Sequence, residues 1–103
     1  MKEVIKLLKN EVKIYKKELS PVCLDRFNYI VDAGCGYTIM SEKNILKTTN
    51  TTLPKMFLTE EVAHKVAKTF NMTTKLEVQA MPYVQWLNKR ISECEELIKL
   101  LTV

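Results

Sequence analysis

Five lysines carry the clearest chemistry in this sequence. Lys6, Lys9, Lys13, Lys16 and Lys17 recur at steps of one, three and four, which places them on one arc of a helix. A stripe of ammonium groups tracks phosphates. Without aromatic or arginine neighbours it makes no base-specific contact, so any nucleic acid held there is held independently of sequence. The same stripe also serves simply to keep a helix in water. Tyr37, Lys43 and Lys47, further along the chain, complete the candidate partner- or nucleic-acid-binding set.

Other reactive residue types are scattered. His64 is the single histidine, and Cys23, Cys35 and Cys94 include no CxxC pair. A zinc site needs clustered ligands and a nucleophilic thiol needs a nearby base, and the spacing supplies neither. Cys35 between Gly34 and Gly36 is expected to be exposed, and Cys94 to be a small core residue. Asp32 and Glu42 flank a turn, where carboxylates are common. Gly34 and Gly36 lack the third glycine and the following helix of a nucleotide-binding loop. The expectation is a non-enzymatic protein with no cofactor and no metal.

These residues need elements to hold them. Ile5, Leu8, Val12, Tyr15 and Leu19 form an apolar seam at alternating steps of three and four. Val84, Leu87, Ile91, Cys94, Ile98 and Leu101 form another. The first seam predicts a helix over 2–19, stopped by Ser20-Pro21, with the lysine arc roughly 100° from the seam. The second predicts a helix from about Pro82 to Leu101. Between them, Tyr29–Ala33 and Tyr37–Met40 flank the glycines as a hairpin, with Tyr29 and Tyr37 facing each other across it. Residues 22–28 read as a connector and 41–56 as a long polar loop, with a short edge strand at 44–47. Thr59 is placed as an N-cap ahead of Glu60 and Glu61, with Phe57 packing back on the helix. That helix buries Val62, Ala63, Val66, Ala67 and Phe70 and closes at Asn71. Leu76, Val78 and Ala80 then alternate as a strand with one buried face. Tyr83 and Trp86 form either an exposed partner anchor or a partly buried pair.

The fold class that follows is α+β in a single domain over 1–103. A small antiparallel sheet, the hairpin plus one further strand, carries three helices on one face, and the terminal helices pack as an antiparallel pair. An apolar fraction of 47% and a charged fraction of 27% suit a globular core. No apolar run reaches the roughly 18–20 residues of a membrane span, and no secretory leader opens the chain, so the expectation is cytoplasmic. The net charge of +4 is concentrated on the first helix, where six lysines outnumber three glutamates; this points to acidic partners.

Gly34 and Gly36, then Phe57, Thr59, Glu60, Glu61 and Ala63, then 76–80, follow one another in an order that resembles small accessory proteins of phages and prophages. There a glycine hairpin precedes a Phe-x-Thr-Glu-Glu-x-Ala helix start and a strand. The resemblance covers about half the chain and transfers no site residue. It implies an interaction protein that binds a larger host protein or ribonucleoprotein, RNA included. Inhibitors of nucleic-acid-directed defence nucleases, the anti-CRISPR proteins, belong to that class. The alternatives are a general nucleic-acid-binding domain using the lysine arc and a homodimer whose seams pair between chains. The expected state is a monomer or weak homodimer without membrane contact.

Overall fold

In a computed structural model, residues 2–19, 29–42, 45–50, 57, 59–74 and 77–102 are described. The element order is α1 (Lys2–Glu18), β1 (Tyr29–Gly34), β2 (Tyr37–Glu42), β3 (Ile45–Thr49), α2 (Glu60–Thr74), β4 (Gln79–Pro82) and α3 (Tyr83–Leu101). The strands form one antiparallel sheet in the order β3-β2-β1-β4. The architecture is α+β with three helices among the described residues. The expected edge strand exists as β3, so the sheet has four strands. The expected connector at 22–28, Lys43, residues 51–56 and Leu76 lie outside the described residues.

Helices cover both faces of the sheet, not one. The reason lies in β1, the inner strand: Ile30 and Val31 are adjacent, point to opposite faces, and are both fully buried. Ile30 and its cross-strand neighbour Met81 join Val12, Tyr15, Trp86, Leu87 and Cys94 under the terminal helices. Val31 and its neighbour Ala80 join Ile39, Ala63, Ala67, Phe70 and Val78 under α2. Each fully buried aliphatic side chain in these layers contributes about 1.5–3 kcal/mol.

The terminal helices pack together as the seams require. Tyr15 meets Trp86 edge-on, with ring centroids 5.7 Å apart. Tyr15 also reaches Arg90, while Glu11 reaches Arg90 and Cys94. Receding along α1 advances along α3, so the pair is antiparallel, and within one chain the seams bury Val12, Tyr15, Leu87 and Cys94 with Leu8, Leu19, Ile91 and Ile98 packed around them. Two seam assignments shift. Val84 is 38% exposed, whereas Trp86 is fully buried and stacked on Tyr83 at 6.1 Å. Helix α3 rests on the sheet as well as on α1, and this turns the arc holding Tyr83, Trp86 and Arg90 inward. Tyr83 and Trp86 are core, not an anchor for a partner.

Three local expectations also change. Tyr37 lies opposite Gly34, and Tyr29 exchanges backbone hydrogen bonds of 2.8 Å with Phe57, so the tyrosines do not pair. With Asp32 opposite Thr38, the hairpin register leaves Tyr37 beside the turn and Tyr29 at the far end of β1. Thr59 caps α2 as expected, its Oγ1 accepting the Val62 N–H at 3.2 Å, but Val62 itself is exposed. Asn71 does not end α2, which runs on to Thr74. Its side chain instead accepts the Val78 N–H at 2.8 Å and donates to the Val78 carbonyl at 3.1 Å.

Candidate nucleic-acid interface

Helix α1 builds the lysine arc as the spacing predicts. Lys6, Lys9, Lys13, Lys16 and Lys17 are all exposed, and Lys2 extends the row. At 1.5 Å per residue, Lys2 to Lys17 spans about 22 Å. Lys16 is paired with Glu95 at 3.5 Å, but both side chains are more than half exposed, so water and salt screen the pair. Lys6, Lys9, Lys13 and Lys17 form no ion pair among the described residues. An open depression of about 980 Å³ follows this helix, lined in part by Lys6, Lys9, Lys13 and Lys16 together with Leu7 and Asn10. Such an arrangement concentrates positive potential and offers donors to a row of phosphates.

The remaining members of the candidate set lie elsewhere. Tyr37 is 46% exposed beside the hairpin turn. It shares the parity of Ile39, which packs against α2. Lys47 is exposed on the edge strand β3. Glu11, on the side of α1 opposite Lys9 and Lys13, points to Arg90. A Cβ built on Gly36 of the hairpin would lie 2.9 Å from the Arg90 Cζ. The hairpin turn, with Tyr37 next to it, therefore lies on the Glu11 side of α1, away from Lys9 and Lys13.

Arg90 is the centre the spacing did not single out. Its Nη1 donates to Glu93 Oε1 at 3.1 Å, its Nε to the Tyr15 hydroxyl at 3.4 Å, and its Nη2 lies 3.8 Å from Glu11 Oε2. The guanidinium also stands 5.8 Å from the Tyr15 ring centroid, near the aromatic face that attracts cations. Burial pushes the Tyr15 phenol pKa up, with Arg90 opposing. Burial likewise pushes the Cys94 thiol up to about 11, so it stays protonated and inert near neutrality. A signal did exist: Arg90 stands four residues after Trp86 and four before Cys94, on their face of the helix.

The other candidates resolve individually. Asp32 is buried, accepts the Gly34 N–H at 3.3 Å and pairs with Lys89. The hydrogen bond to Asp32 raises the Lys89 pKa. Glu42 lies at the far end of β2 from Asp32, opposite Ile45, so the two are no acid pair. Cys35 is exposed and free. His64 is exposed on α2, with Nε2 at 3.3 Å from Glu60 Oε1. Among the described residues no group of three or more His, Cys, Asp or Glu converges as a metal site, and no helix is long and apolar enough to cross a membrane.

Comparison with known proteins brings no match: no family model, no curated protein and no solved structure resembles the chain.

Proposed function

We propose that this chain is a non-enzymatic interaction protein whose α1 lysine arc docks on the phosphate backbone of a nucleic-acid-containing partner. The observation that carries the reading is the row of exposed lysines on one side of α1, of which only Lys16 has a carboxylate partner among the described residues. The small size and the resemblance to phage accessory proteins extend the proposal to a class of partner. That class is the ribonucleoprotein of a host defence nuclease, with its RNA lying on the lysines and nothing cleaved or modified by this chain.

Binding of labelled single-stranded RNA to the full chain tests the docking step. About four or five phosphate contacts give a slope of roughly −3 in log affinity against log salt, whatever the RNA sequence. Lys9→Glu combined with Lys13→Glu lowers the magnitude of that slope by about 1.4. No binding at low salt, or binding that ignores salt, removes the proposal.

A further inference from the structure

The face of the terminal helix pair that the hairpin turn touches continues beyond it. Glu11 and Glu93 both reach Arg90, and Gly36 of the turn sits against its guanidinium. On α1, Val4 and Leu7 continue the stripe of Glu11 at steps of four and three; on α3, Leu97 and Leu100 continue that of Glu93 at the same steps. Yet Val4 is 45% exposed, Leu7 66%, Leu97 46% and Leu100 67%. The four side chains leave on the order of 400 Å² of apolar surface, the size at which a patch on a monomer marks an interaction site.

The spacing identifies the occupant. Each helix contributes two apolar residues three apart. Glu11 lies across from Arg90 and Cys94, and Tyr15 across from Trp86 and Arg90. Carried back by the same antiparallel step, the Val4–Leu7 pair lies level with Leu97–Leu100. One two-fold axis across the helices, midway through both pairs, thus exchanges Val4 with Leu7 and Leu97 with Leu100. A surface that maps onto itself under one axis is what an isologous dimer requires. The same axis sends the second sheet to the opposite end of the assembly, clear of the first. Leu7 also lines the lysine depression, so on α1 the contact borders the lysine arc, whereas Leu97 and Leu100 lie on α3 and outside that lining. Two such patches bury about 800 Å² of apolar surface, which is the range of weak, transient association.

We infer that the uncovered end of the α1–α3 pair is a self-association face, and that its occupant is a second copy of this chain, with Leu7 against the partner's Val4 and Leu97 against the partner's Leu100. This rests on side chains other than the lysines, and sedimentation without nucleic acid reads it separately from RNA binding. Sedimentation equilibrium of the full chain tests it. The expected result is a monomer–dimer equilibrium with a dissociation constant in the micromolar range. Leu7→Glu and Leu100→Glu, each on a different helix and each at an exposed position, weaken it at least about tenfold while circular dichroism and urea midpoint stay unchanged. Val62→Glu, an exposed apolar position on α2, leaves it unaltered. A chain that is monomeric at about 100 µM, or a dimer that survives both leucine variants or is lost in Val62→Glu, overturns the inference.

Discussion

At the scale of single residues, Arg90 decides how the helices meet the hairpin. A buried guanidinium is tolerated only with partners, because removing its water costs several kcal/mol. Glu11, Glu93 and the Tyr15 hydroxyl are those partners, and they come from both terminal helices. They also fix the position against which Gly36 closes. Gly34 and Gly36 share a φ of +88°, and Cys35 between them has 53°, so an L-residue at either glycine meets the same backbone strain, about 1–3 kcal/mol. Only at Gly36 does a Cβ also meet Arg90; at Gly34 there is nothing within 4 Å. Gly36→Ala is therefore expected to destabilise by about 1 kcal/mol or more beyond Gly34→Ala in urea unfolding. Equal losses would show that the turn does not bear on the guanidinium. The glycine turn was legible from the sequence because left-handed backbone selects for glycine. That Gly36 also makes room for an arginine 54 positions later was not, since no local pattern encodes such a contact.

At the scale of elements, the helix ends and strand edges were the places where local rules met tertiary competition. Thr59 acts as the cap its type and position predict. Asn71 does something else. β4 is an edge strand, and the residue leading into it, Val78, has both backbone polar groups bonded to the Asn71 amide. One side chain thus substitutes for one residue of a neighbouring strand and ties α2 to the sheet. Asn71→Ala leaves both groups without that partner and is expected to cost about 1–3 kcal/mol, with faster hydrogen exchange at the Val78 amide. Unchanged stability together with unchanged protection of that amide would argue against the role. An asparagine near a helix end reads equally as a left-handed closure or as a side-chain donor. The choice depends on where β4 packs, which no window around residue 71 contains.

At the scale of the whole molecule, α1 has three distinct sides. One is buried on α3, one presents lysines outward, and one carries Val4 and Leu7 past the end of the sheet. Leu7 borders the lysine depression, but Leu100 shares the bare face without lining that depression, so variants at Lys9/Lys13 and at Leu100 separate the two effects. Lys9→Glu with Lys13→Glu is expected to alter RNA affinity and its salt dependence without changing sedimentation. Leu100→Glu, on α3 and outside the lining of the lysine depression, is expected to do the reverse, losing self-association while the salt slope stays the same. Joint loss of both properties in either variant would mean that the faces are coupled.

The sequence alone determined the helices and strands with marked periodicity, the antiparallel fit of the two seams, the glycine turn and the lysine arc. Each is set by spacing within one element, where 3.6-residue or two-residue periods bring like side chains onto one side. Only the tertiary structure decided that the sheet is covered on both faces, that Trp86 and Arg90 are core, and that Val4, Leu7, Leu97 and Leu100 are left exposed. Periodicity fixes which residues share a side. What that side meets depends on how far each element extends over its neighbours, and this is settled only when residues remote in sequence pack together.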